Sequence, residues 1–304
     1  MYQEEREQTH LKNIPEGVRA GRTFRAARQL VAMVLALRPR QWIKNVFVFS
    51  PLIFAGRLGN AESLIASVRV CLLFCLAASV VYLFNDLVDR EVDRLHPANC
   101  KRPIASGTLS VPMAVVELVV LSLILAGFLV YETLPVAGLL AGYLVLNVAY
   151  TLHLQRMAIL GAMVVAAGFV IRTLVGGEAI GVEVTPWLIG CTFLLCLFAS
   201  LGKKRSELGT AAPAPQKWIV RLMALSMASC AVCYVVYTVF SETGVINRGL
   251  VVSIPFALYC LLRFWKWAQR GEIVDVTDIL FKDLRFLVAG LCWLVSVTFS
   301  LYYA

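Results

Sequence analysis

Nine long apolar runs dominate this chain of 304 residues. They lie near residues 42–60, 64–84, 112–131, 134–151, 157–176, 185–201, 218–240, 249–268 and 284–303. A bilayer's hydrocarbon core takes about 20 apolar residues to cross as a helix. Only 15% of the residues are charged, against about 25% in soluble domains. A lipid environment leaves no water for the backbone, so runs of this length must be helical. The expected fold is all-α: a polytopic membrane helix bundle of about nine transmembrane helices. The first run is the weakest, since it contains Lys44, Asn45 and Pro51. Residues 1–22 read as a polar tail without the apolar core of a signal peptide. Residues 23–37 read as an amphipathic interfacial helix, and 23–304 as a single transmembrane domain.

Charge orders these spans across the membrane. Of the 28 Lys and Arg residues, 24 fall on one side, and only Arg57, Arg69 and Arg248 on the other. Arg172 lies within a span. The positive-inside rule then makes the N-terminus cytoplasmic and, with nine spans, places the C-terminus outside. The net charge of +9 is thus a topological signal. No basic patch interleaved with aromatics is present, so no nucleic-acid partner is expected. The nine cysteines lie mostly in apolar runs, and Cys230-Ala231-Val232-Cys233 reads as packing rather than as a metal or redox site.

Chemistry collects on the basic side. Asn85-Asp86-Leu87-Val88-Asp89-Arg90-Glu91-Val92-Asp93 follows the second run directly. Helical spacing puts Asp86, Asp89 and Asp93 on one face. Three adjacent carboxylates repel unless a cation lies among them, and oxygen-only ligands favour Mg²⁺, which binds through one or two carboxylates plus substrate phosphates. The bland reading is a solvated helix end neutralised by Arg90 and Arg94. Beyond the motif lie Lys101 and Arg102, suited to phosphate or to flanking a span. Gly202-Lys203-Lys204-Arg205-Ser206-Glu207-Leu208 reads as a second basic loop, an anion site or a topological anchor. Arg172 reads as a structural or gating residue, and Glu117 as a partner for a neighbouring cation. His96 reads as a substrate contact or a loop cap.

These residues resemble those of a known family. Asn85-Asp86-x-x-Asp89-x-x-x-Asp93 after the second of nine spans is similar to the first aspartate motif of the UbiA superfamily of intramembrane transferases. More narrowly, several stretches resemble its decaprenyl-phosphate phosphoribosyltransferase branch. They are Leu37-Arg38-Pro39-Arg40-Gln41-Trp42-Ile43-Lys44-Asn45, His96-Pro97 with Arg102-Pro103-Ile104-Ala105-Ser106-Gly107, Gly168-Phe169-Val170-Ile171-Arg172, and Gly202-Lys203 with Glu207-Leu208. The chain departs from that branch at Asn99 and Gln155, where lysines are usual, at Gly161, where an acidic residue is usual, and at Lys204-Arg205.

The resemblance implies Mg²⁺-dependent transfer of 5-phosphoribose from phosphoribosyl diphosphate to a polyprenyl phosphate, releasing diphosphate, for cell-envelope glycan precursors. It assigns Mg²⁺ to Asp86, Asp89 and Asp93, with Asn85 beside them. Lys44, Lys101, Arg102, Arg156 and Lys203 would bind phosphate, and Tyr150 would position sugar or acceptor. The implied place is the inner (plasma) membrane, with the active site facing the cytoplasm. A homo-oligomer is compatible with the resemblance and required by no residue. One alternative is a prenyltransferase taking polyprenyl diphosphate as donor. That class usually carries a second aspartate motif after the sixth span, where this chain has Lys203-Lys204-Arg205. The other is a non-catalytic lipid-phosphate binder or transporter, although the paired broken spans of transporters are missing.

Overall fold

In a computed structural model, the structure describes residues 27–97, 99–208, 213–271, 273 and 277–303. The expected polar tail lies outside these residues. Of the expected interfacial segment, 27–36 is helical (α1). The apolar runs become helices, and no strand occurs among the described residues. Eight helical stretches are long and apolar enough to cross a membrane. They are α3 (Ala61–Val88), α5 (Val111–Leu129), α6 (Leu134–Leu152), α7 (Ala158–Ala179), α8 (Pro186–Leu208), α9 (Pro213–Phe240), the 3₁₀ turn Arg248–Ser253 continued by α11 (Ile254–Arg270), and α13 (Leu284–Tyr303). Shorter helices are α2 (Ser50–Phe54), α4 (Arg90–Leu95), α10 (Glu242–Ile246) and α12 (Asp278–Lys282). Prolines start α2, α6 and α11, where a missing N–H costs nothing. Gly271, left-handed at φ 70°, ends α11.

The first expected span is not one α-helix. Pro39–Phe49 winds as a 3₁₀ helix and passes into α2. Pro39 and Pro51 bracket this stretch, and neither can donate a backbone hydrogen bond to an α ladder. A second correction concerns Gly202–Leu208. It is not a loop but the last two turns of α8.

The described chain divides into two compact units. The first holds the residues up to Pro39 with Ala78–Ile124, and the second Arg40–Ala77 with Leu125–Ala304. In the first, Ala32, Ala36, Leu83, Ile104, Leu109 and Ala114 form the core. In the second, Phe198, Leu201, Met223, Phe264 and Ala268 pack centrally. There the 3₁₀ segment lies against α7, with Phe47 edge-on to Phe169 at 5.0 Å. A Cβ on Gly176 would come within 2.0 Å of the Val48 carbonyl oxygen, so only glycine admits this backbone approach.

Asp283 fixes the end of the second unit. Its carboxylate accepts from the Arg285 and Phe286 amides at 3.1 and 3.2 Å, capping α13. It also accepts from Arg263 Nε at 2.6 Å and Trp267 Nε1 at 2.7 Å. Burial works against the charged form, but these donors outweigh it and bring the carboxyl down to about 2, from an ordinary 3.8. A lowered value stabilises the fold above the ordinary one, and that contribution fades as pH falls through about 4 towards about 2. Losing a cap alone costs about 1 kcal/mol. Asp283→Ala should therefore lower the thermal midpoint in detergent by at least about 2 °C at pH 7. The gap from wild type should narrow below pH 4. An equal gap at pH 7 and pH 3 would contradict this assignment.

Candidate active site

The acidic motif straddles a helix break. α3 ends at Val88 and α4 begins at Arg90, with Asp89 between them at φ −87°, ψ 4°. The course stays nearly helical, because the Asp89 amide donates to Asn85 O and the Asp93 amide to Asp89 O, each at 2.8 Å. Asp86 and Asp93 are buried, 2% and 4% exposed, while Asp89 is half-buried.

The bland reading does not describe this motif. Arg90 and Arg94 bind Glu91 on the exposed face, and Arg94 also donates to Ala105 O at 3.2 Å. Asp86 and Asp93 face other cations. Arg102 Nη1 donates to Asp93 Oδ2 at 2.5 Å and to Asp86 Oδ1 at 3.3 Å. Arg38 pairs with the same Asp86 Oδ1 while its guanidinium lies 5.0 Å from the Tyr82 ring centroid. The resemblance quotes Arg38 without a role, so its place on Asp86 is new. Its backbone is left-handed at φ 53°.

Asn99, one departure from the branch pattern, donates its Nδ2 to Asp93 Oδ1 at 2.8 Å. The position thus keeps a donor aimed at the motif but loses a positive charge. His96 Nδ1 accepts from the Asn99 amide at 3.3 Å, the loop-capping reading of that histidine. Lys101 ends a 3₁₀ turn (Asn99–Lys101) and is exposed. Glu117 does not meet the expected cation: it is 7% exposed and its Oε2 has no hydrogen-bond partner.

Does this motif suit a metal? Both guanidiniums take Asp86 Oδ1, and the buried Oδ2 has no hydrogen-bond partner among the described residues. An anionic oxygen left open in a buried place is a ligand for a hard cation. Among the described residues no three Asp, Glu, His or Cys side chains form a ready-made metal cage. Asp86, Asp89 and Asp93 are thus not brought together as a three-carboxylate site, and an ion there would depend on one or two carboxylates, waters and substrate phosphate. The residues present fit the ion.

The second unit holds the other residues expected from the sequence. Lys44 is half-buried on the 3₁₀ segment. Arg156 is exposed on a 3₁₀ turn (Leu154–Arg156). Lys203 lies 3.6 Å from Glu207 on the last turns of α8. Arg205 donates to Ala268 O and is thereby tied to the neighbouring helix. Tyr150 is half-buried near the end of α6. A Cβ on Gly161 would sit 3.1 Å from Leu154 O and 3.5 Å from the Tyr150 ring. A branch-type acidic side chain would press on this turn.

Arg172, expected as a structural or gating residue, forms the polar centre of this unit with partners that sequence reading did not pair with it. Arg172, 5% exposed, donates to Asn45 Oδ1 at 2.8 Å, Gly168 O at 2.9 Å and Tyr143 OH at 2.9 Å. Its guanidinium also lies over the rings of Phe74, Tyr143 and Phe169 at 4.7–5.4 Å. Neutral acceptors and π faces hold the charge. Asn45, fully buried, adjoins Lys44 and donates Nδ2 to Cys75 Sγ at 3.3 Å. The signal available in sequence was two polar residues inside apolar runs.

Comparison with known proteins agrees with this picture. The model of the UbiA prenyltransferase family matches residues 45–203. A decaprenyl-phosphate phosphoribosyltransferase of Mycobacterium tuberculosis is 32% identical, over 89% of this chain and 94% of its own length. One from Corynebacterium glutamicum is 28% identical, over 89% and 86%. The solved UbiA homolog from Archaeoglobus fulgidus bound to GPP and Mg²⁺ superposes with a TM-score of 0.68 at 16% identity, covering 89% of this chain and 99% of that one. With these matches in fold, sequence and motif, the chain is a transferase that belongs to the UbiA prenyltransferase family.

Proposed function

We propose that this protein transfers 5-phosphoribose from phosphoribosyl diphosphate to a polyprenyl phosphate, releasing diphosphate. The observation that carries the reading is the buried Asp86–Asp93 pair, set between two arginines with one carboxylate oxygen open. It suits a cation that arrives with a diphosphate. Near-full-length similarity to phosphoribosyltransferases favours phosphoribosyl diphosphate as the donor.

Asp86, Asp89 and Asp93 would hold Mg²⁺, which when bound neutralises charge building on the leaving diphosphate. Asn85 stands beside the carboxylates as a neutral oxygen donor. Arg102 and Lys101 bind donor phosphate, and Arg102 keeps Asp93 aimed. Lys44, Arg156 and Lys203 are further phosphate-binding residues, and Tyr150 positions sugar or acceptor. The acceptor phosphate is already anionic, so no general base is needed. The lipid tail stays in the bilayer. The bias of 24 basic residues against 3 supports an inner-membrane protein with its N-terminus and active site at the cytoplasm. The product would feed envelope glycan synthesis. No residue requires the chain to act as a homo-oligomer.

A prenyl donor is the second reading, since a solved relative in fold binds GPP with Mg²⁺. The end of α8 disfavours it, because Lys203, Lys204 and Glu207 pair there in place of a second aspartate motif.

The test supplies purified protein with polyprenyl phosphate, Mg²⁺ and ribose-labelled phosphoribosyl diphosphate. Label should enter the organic phase and stay out of it with EDTA. Absence of labelled lipid, beside an active phosphoribosyltransferase as control, would overturn the donor assignment. A polyprenyl diphosphate consumed under the same conditions would establish the second reading.

A further inference from the structure

Two cations occupy Asp86, and they are not equivalent. Arg102 also binds Asp93, so it keeps a carboxylate whatever happens at Asp86. Arg38 has Asp86 and the face of Tyr82. It is the one non-glycine residue with positive φ among the described residues. The Leu37 carbonyl before it accepts from Ser79 Oγ at 3.1 Å, and Pro39 after it restricts its backbone further. A bulky residue in the left-handed region persists only where its surroundings over-determine it, and such residues gather at ligand clamps and switches.

We propose that Arg38 is an electrostatic latch. It holds Asp86 Oδ1, and it must release that carboxylate when metal and diphosphate enter together. Charge balance gives the reason. Asp86, Asp89 and Asp93 with Arg38 and Arg102 sum to minus one. A divalent cation alone would add two positive charges beside two guanidiniums. A metal-bearing diphosphate offsets the metal's charge and gives the displaced Arg38 an anionic partner. The two ligands are therefore coupled through one side chain, and each raises the other's affinity. Metal without diphosphate therefore binds weakly and leaves once diphosphate leaves. This rests on the metal–diphosphate reading above, and not on which group the diphosphate carries.

The backbone supplies a clean variant. Asn and Gly accept positive φ more readily than Arg, so Arg38→Asn and Arg38→Gly remove the charge without adding strain. Equilibrium dialysis with Mn²⁺ alone should show about tenfold tighter binding by Arg38→Asn than by wild type, a change of about 1.4 kcal/mol. Binding of inorganic diphosphate at saturating Mn²⁺ should weaken about tenfold in the same protein. Arg38→Lys should fall between the two. A purely structural role would weaken both ligands, so opposite signs support the latch. Mn²⁺ bound equally or more weakly by Arg38→Asn and Arg38→Gly, with wild type binding it and Asp86→Asn not, would overturn the latch and leave the metal site standing. Mn²⁺ bound by none of the proteins would overturn both.

Discussion

Asp86→Ala should lower metal-dependent turnover by roughly 10³-fold, the scale on which one preorganised charge-stabilising group acts. Asp86 is the motif's carboxylate with a buried open oxygen, and it is also shared by Arg38 and Arg102. Truncation therefore removes the proposed metal ligand and strips two cations of a partner. Asp86→Asn separates these effects, since the amide keeps the shape and an acceptor oxygen for the arginines but lacks the charge that a hard cation needs. Both variants should be inactive, with the asparagine form the more stable in detergent. Lost turnover should not return with excess Mg²⁺. Turnover surviving in Asp86→Asn with its Mg²⁺ dependence unchanged would remove Asp86 from the metal site.

Arg172→Met should be the most damaging single change away from the aspartates. Methionine fills much of the volume and relieves the burial of a charge, but it donates nothing. Asn45 Oδ1 and Tyr143 OH then lose their donor in a dry interior. At about 1–3 kcal/mol for each buried polar group left unmade, the loss is roughly 2–4 kcal/mol. Arg172→Lys restores charge without the fork that reaches three acceptors on two helices and the 3₁₀ segment, so it should recover only part of the loss. Thermal midpoints in detergent measure both. An unmoved midpoint in Arg172→Met would mean that the network orders nothing. Asn45 adjoins Lys44, so the damage should extend to phosphate binding through that lysine.

What could be read from residues alone followed the strength of each local signal. Eight helices were legible because continuous apolar runs leave the backbone no other solution in lipid. Pro39–Phe49 was not, since hydropathy does not distinguish a 3₁₀ winding from an α one. Asp86 and Asp93 were legible as neighbours from their spacing, and both meet Arg102. The partners of Asp86 were not, because Arg38 is 48 positions away and reaches it through a left-handed backbone that nothing local to Arg38 announces. Arg172 could be flagged as a buried charge. Its partner Asn45 lies 127 positions away, a pairing fixed only when α7 meets the 3₁₀ segment. The cation expected for Glu117 and the loop expected at Gly202–Leu208 were inferences from charge and polarity, and neither carries directional information.

The 3₁₀ segment also changes how many residues a crossing needs. A 3₁₀ helix rises about 2.0 Å per residue against about 1.5 Å for an α-helix. The 11 residues of Pro39–Phe49 therefore extend about 22 Å, and the 5 of α2 add about 7 Å. Sixteen residues thus have a reach near the roughly 30 Å of a bilayer's hydrocarbon core. An α-helix of the same length would fall short by about 5 Å, nearly a full turn. What holds this stretch in place is its close fit to α7, where the Val48 carbonyl meets Gly176 and Phe47 meets Phe169. Removing one residue between Pro39 and Phe54 would shift Lys44 and Asn45 out of register with α7, whereas a turn added to the exposed end of an ordinary span would pass unnoticed.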